Sequence, residues 1–148
     1  MIQAKAYLQQ IEKIETLIRN KETEISQWRS MATGIKSSFP AGERVQSSGR
    51  PQKMADMVAR YVDLEKEMNE QIDRLIDARR EIISVLEQLD KTEYNLLHLI
   101  YVQYFTLKEA AVMMKKGYSW ATTVHGTALK HVQEILDEKE KCKQMQTF

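Results

Sequence analysis

Residues Thr106–Leu129 read TLKEAAVMMKKGYSWATTVHGTAL, and the order of residues in this stretch decides the fold. Thr106 offers an N-cap with Glu109 three residues on, the reciprocal pair that starts many helices. LKEAAVMM continues as a short helix and Lys115-Lys116-Gly117 interrupts it. Ala121, Val124, Ala128 and Leu129 then return at the spacing of a second helix. A small residue at Ala111, a tight turn, and apolar anchors at Ala121 and Val124 are what the crossing helices of a helix-turn-helix require. Two readings of the turn stay open. In the ungapped one Gly117 caps the second helix and Lys116 lays its stem along the core. In the other the turn is two residues longer and Ser119 is the cap.

The same stretch is poor in negative charge. From Ala110 to Gln133 there is no Asp or Glu, while Lys115, Lys116, Lys130, His125 and His131 all fall inside. On the ungapped reading Tyr118, Ser119, Trp120, Thr122, Thr123 and His125 face away from the core near the start of the second helix. Hydroxyls bond phosphate oxygens or base edges, and Thr and aromatic side chains make apolar contact with the thymine methyl. Lys115, Lys116 and Lys130 would hold the phosphate backbone. These residues are the candidate contacts to double-stranded DNA. The alternative is a solvated helix face, and the lack of Arg, the commonest reader of guanine, speaks for it.

Upstream, Ala4, Ile11, Ile18, Ile25 and Ala32 form one heptad column and Tyr7, Ile14, Lys21, Trp28 and Ile35 the other, broken only at Lys21. This predicts a helix from about 3 to 36. Both prolines and four serines then crowd into 37–53, a loop whose Arg44, Arg50 and Lys53 read either as phosphate contacts or as a solvated linker. Tyr61, Met68, Leu75, Ile82 and Leu89 recur every seven residues and predict a second long helix over 54–89. Two such helices fold back most simply as a long antiparallel, coiled-coil-like hairpin, which still leaves apolar surface for a third helix or a second copy. Lys21 is then the residue suited to fixing the register of a homodimer. Glu65, Glu67, Glu70, Asp73 and Asp77 form an acidic band on the second helix, read as a solvated face or a docking surface. The expected architecture is all-α: a hairpin over 1–89, and a C-terminal helix-turn-helix domain over 90–148 that opens at an N-cap, Asp90, with Glu93 three residues on.

Composition narrows the function classes. A chain of 148 residues with 43% hydrophobic content and few Gly and Pro folds, and its net charge of +1 offers no global attraction to a polyanion. One cysteine, Cys142, closes no internal disulfide, and His125 and His131, six apart, lack the spacing of a helical metal pair. His98 sits among apolar residues as a packing histidine, and Met54, Met57, Met68, Met113 and Met114 fall at or near apolar helical positions, read as core filling. No nucleophile–base set, carboxylate pair or phosphate-cradling loop is visible, so the expectation is a protein that is not an enzyme, with no cofactor and no metal. Charge interrupts the N-terminus too often for a signal peptide or a membrane span, which predicts a soluble, cytoplasmic protein.

The stretch Leu89–Leu136 resembles region four of housekeeping-type sigma factors. The likeness is carried by the leading helix ending in Tyr101–Tyr104, by Thr106-Leu107-x-Glu109-Ala110-Ala111, and by Ala128-Leu129. Nearly the whole chain resembles a family from phages and integrated elements of Gram-positive bacteria, described as sigma-like or late-gene transcriptional regulators. The matching features are a helical hairpin, GERVQSSG (Gly42–Gly49), MADMVARYVDLEKEMNEQIDRL (Met54–Leu75) and HGTAL (His125–Leu129). The resemblance implies DNA binding, transcription control and contact with RNA polymerase. The charged residues with which region four reads promoters are missing, and nothing resembles sigma region two. The implied role is therefore a sigma-like accessory activator. Two rivals remain in view: a small-terminase-like DNA-packaging subunit, which also joins a helix-turn-helix to oligomerising helices, and a protein-interaction module with a degenerate helix-turn-helix.

Overall fold

The periodic segments fold as helices, and no strand occurs among the described residues. The structure, a computed structural model, describes residues 3–37 and 50–146. It contains α1 (Ala4–Leu8), α2 (Gln10–Ser37), α3 (Arg50–Leu86), α4 (Lys91–Leu97), a π-helical turn (His98–Val102), α5 (Leu107–Met113) and α6 (Tyr118–Gln146). The helix expected over 3–36 is thus α1 and α2. Gln9 between them stays in the right-handed region, its N–H donating to Lys5 O at 3.0 Å and its carbonyl accepting from Lys13 N–H at 3.1 Å. The second long helix begins four residues before the expected Met54, at Arg50. Pro51 does not delay it, because a proline in the first helical turn removes an N–H that has no intrahelical partner there. Most of the expected loop, including Arg44, lies outside the described residues.

The chain divides into two compact units, Met1–Lys13 with Leu75–Phe148, and Ile14–Arg74. In the second unit α2 and α3 bury Ile25, Ala32 and Leu64. Polar links connect the two helices: Lys21 Nζ donates to Glu67 Oε2 at 2.8 Å, and Arg29 pairs with Glu65 while its guanidinium lies 5.4 Å from the Tyr61 ring centre. Lys21, the one interruption of the apolar column, is therefore paired within the chain and holds the Glu67 carboxyl below its usual range. Exposed pairs of this kind set alignment more than they stabilise.

The first unit holds the larger core. Tyr7, Leu8 and Ile11 meet Ile82, Val85 and Leu86 of α3, Leu97 of α4, Tyr101 of the π turn, and Ala128 and Val132 of α6. Leu8, Ile11, Ile82, Leu86 and Leu97 are completely buried, each worth about 1.5–3 kcal/mol relative to exposure. Gln133 Oε1 accepts the N–H of Ala4 at 2.8 Å, so a side chain of α6 satisfies one of the unpaired donors that open α1.

The connections around α5 are built from caps and left-handed residues. Asp90 Oδ1 accepts from Glu93 N–H at 2.8 Å, and Thr106 Oγ1 from Glu109 N–H at 3.1 Å, the two caps that the sequence spacing predicts. The π turn closes with Gln103 N–H donating to His98 O at 3.0 Å, and Tyr104 follows at φ 63°. At the end of α5, Lys115 takes φ 59°, its N–H donates to Val112 O at 3.0 Å, and Lys116 N–H donates to Ala111 O at 2.9 Å. These are the paired bonds of a Schellman ending, with lysine where glycine is usual. Gly117, by contrast, has no positive φ; its carbonyl accepts the first bond of α6 from Ala121 N–H at 3.1 Å, which leaves Ser119 inside the helix.

A left-handed non-glycine residue costs on the order of 1 kcal/mol. Lys115→Gly is accordingly expected to stabilise the chain by up to about 1 kcal/mol in denaturant melts, after the entropy that glycine adds to the unfolded state. A loss of stability would mean that the Lys115 side chain contributes more than its backbone strain costs.

Candidate nucleic-acid interface

Two faces of α6 follow from its sequence. Ala121, Ala128 and Val132 are buried, seven and four residues apart, and they fix the helix rotation. Tyr118, Ser119, Thr122, Thr123, Gly126, Thr127 and Lys130 are exposed, a stripe that repeats every four residues. α5 packs against the same helix with Ala110 and Ala111 buried, which places the Lys115-Lys116 turn at the N-terminal end of the stripe. At 1.5 Å per residue Lys130 lies roughly 18 Å along the axis from Tyr118, so lysines bracket the exposed face.

The expected contact residues are disposed unequally. Tyr118 is 59% exposed. Trp120 is half-buried, and Lys116 Nζ stands 5.5 Å from its ring centre in a cation–π arrangement. Thr122 Oγ1 donates to Tyr118 O at 3.0 Å and Thr123 Oγ1 to Ser119 O at 3.1 Å. Those hydroxyl protons are engaged by the helix itself. Lys115, Lys116 and Lys130 are exposed.

His125 corrects the sequence reading. Expected to face outward, it is half-buried, its ring stacked on Tyr101 at 5.9 Å with Nε2 and the Tyr101 hydroxyl 2.9 Å apart in a hydrogen bond. Burial first, then the charge of Lys5, pushes its pKa down, and burial raises that of Tyr101. The neutral imidazole braces α6 from inside. Val124 and Leu129 share the intermediate positions beside it, so a stripe of four residues per repeat leaves 125 at the edge of the core rather than on the open face.

A second histidine ties α6 to α4. His131 Nδ1 lies 2.8 Å from both oxygens of Glu93, whose carboxylate is almost fully buried. The hydrogen bond to Glu93, then its charge, raises the pKa of His131. The capping spacing marks Glu93 in the sequence, but for its backbone N–H; neither this pair, 38 residues apart, nor Tyr101 and His125, 24 apart, has a local sequence signal.

No protein-family model, curated protein or solved structure matches the chain. Among the described residues no group of three or more His, Cys, Asp and Glu is placed to hold a metal ion, and no helix is long and apolar enough to cross a membrane.

The two histidines give opposite pH dependences. His131, raised when folded, contributes stability that is complete below the ordinary imidazole pKa of about 6.5 and lost as pH rises through its folded value. His125, depressed when folded, contributes stability that is present above that ordinary value and lost as pH falls through its folded value. Denaturant melts from pH 5 to 9 should therefore show His131→Gln flattening the alkaline decline and His125→Gln flattening the acid one. An alkaline limb unchanged in His131→Gln would mean that the Glu93 pair adds nothing to stability.

Proposed function

We propose that this chain is a DNA-binding transcriptional regulator, a sigma-like accessory activator of phage or mobile-element genes. It acts by laying α6 in the major groove and recruiting the transcription machinery, with no covalent chemistry. The observation that carries the reading is the exposed, carboxylate-free stripe of α6 with lysines at both ends. In this reading α5, the Lys115–Gly117 turn and α6 are a helix-turn-helix within a C-terminal domain over 90–148, and α6 is the recognition helix. The segment 1–89 is an antiparallel hairpin that serves as scaffold and homodimer contact, and RNA polymerase is the partner recruited. The resemblance to sigma region four supports the same assignment, and a soluble, cytoplasmic protein fits it.

Gly126 adds support from an unrelated direction. A Cβ built there meets nothing within 4 Å, so no neighbour in the chain requires a glycine. A glycine inside a helix costs about 0.5–1 kcal/mol relative to alanine. At the centre of the exposed stripe it suits the close approach of another molecule's surface. Exposed apolar side chains on α5, Val112 at 71% and Met113 at 52%, favour a second reading in which this unit meets a protein. Recruitment needs such a face as well, so the two readings part only over DNA.

Binding of the purified chain to duplex fragments at two salt concentrations tests the proposal. Affinity should fall steeply with salt, and Lys116→Ala and Lys130→Ala should each weaken binding to all sequences and reduce the salt slope by about 1. Absence of binding at low salt would leave the protein-interaction module. Gly126→Ala should raise stability by about 0.5–1 kcal/mol and lower DNA affinity, a combination that a purely solvated face would not produce.

A further inference from the structure

The side chains on the α6 stripe limit which base pairs it can distinguish. Hydrogen-bond readout in the major groove depends on forked groups: Arg or Lys on guanine, Asn or Gln on adenine, Asp or Glu on cytosine. Between Tyr118 and Lys130 there is no Arg, Asn, Gln, Asp or Glu. The hydroxyl protons of Thr122 and Thr123 are bonded to the carbonyls of Tyr118 and Ser119. His125 is turned to Tyr101, and the Lys116 ammonium stands over Trp120. The exposed hydroxyls of Tyr118, Ser119 and Thr127 each bring a single donor, which cannot separate the N7 of guanine from the N7 of adenine, and Lys130, about three turns along α6 from Tyr118, serves the phosphate backbone in the reading above. What Thr122 and Thr123 still bring to their exposed positions is a methyl group each.

We infer that this face selects A·T pairs by apolar contact between the methyl groups of Thr122 and Thr123 and the 5-methyl group of thymine, and does not read guanine by hydrogen bonding. The inference rests on the DNA-binding reading above and names what that binding distinguishes. Thymine's methyl is the one major-groove feature of the four bases that calls for an apolar partner. Lys115, Lys116 and Lys130 supply the part of the affinity that does not depend on sequence.

Removing only the methyl, on either side of the contact, tests this. The full chain is titrated against an A·T-rich duplex made with thymine and the same duplex made with deoxyuridine. A G·C-rich duplex with and without 5-methylcytosine is titrated alongside, all at low and moderate salt. Deoxyuridine should weaken binding about fourfold per contacted thymine, the value of one buried methyl group. Methylation of cytosine should strengthen binding to the G·C-rich duplex, because it sets a methyl at the same edge of the groove. The double variant Thr122→Ser, Thr123→Ser keeps both hydroxyls and loses both methyls, and it should bind the thymine and deoxyuridine duplexes equally. Salt-sensitive binding that is indifferent to deoxyuridine would overturn the methyl readout and leave DNA binding intact. A deoxyuridine effect that persists in the double variant would assign it to DNA shape or to another side chain of the stripe, such as Thr127, and equally overturn the inference. No binding to any duplex would remove the DNA reading itself, and this inference with it.

Discussion

α5 packs on α6 with Ala110, Ala111 and Ala121 fully buried, and the rest of the C-terminal arrangement depends on that small-residue contact. A methyl is the largest side chain at each of these positions, so the backbones come close and the chain must reverse within a few residues. The reversal is made by Lys115 in the left-handed region and by the two bonds that return to Ala111 and Val112. A longer side chain at Ala111 would move α5 away from α6, and with it the lysines that border the exposed face. Packing thus sets where the charges sit.

Electrostatics within this unit follow a consistent division. Carboxylates are absent from the exposed stripe of α6 between Tyr118 and Lys130, and Glu93 of α4 is buried against His131. A buried carboxylate without a partner is expensive, so the His131 ring holds Glu93 in place as much as the reverse. On α3, meanwhile, Glu65 and Glu67 are committed to Arg29 and Lys21 of α2. A net charge close to zero therefore conceals a local separation of signs.

Much of the fold was legible in the sequence because its signals are local. The heptad columns located the long helices to within a few residues, and Asp90 and Thr106 capped the helices that follow, because an N-cap acts only three residues away. The π turn and the left-handed Tyr104 and Lys115 were not legible, since neither residue type favours such a backbone and packing alone imposes it. The outward stripe of the candidate face followed from periodicity. His125 did not, because Tyr101 reaches it from 24 residues away. The burial of Ala4, Tyr7 and Leu8 against α6 was equally hidden, as a heptad column states which side is apolar and not what covers it.

The bond from Ala4 N–H to Gln133, across 129 positions, has a consequence for biosynthesis. At about 5–20 residues per second, α1 emerges from the ribosome on the order of ten seconds before the helix that covers it. During that interval Tyr7, Leu8 and Ile11 have no access to Ala128 or Val132, whereas the residues that pair α2 with α3 are already available. The nascent chain thus carries an apolar segment that Ile82, Val85 and Leu86 can cover on one side and that is closed only once α6 has been made.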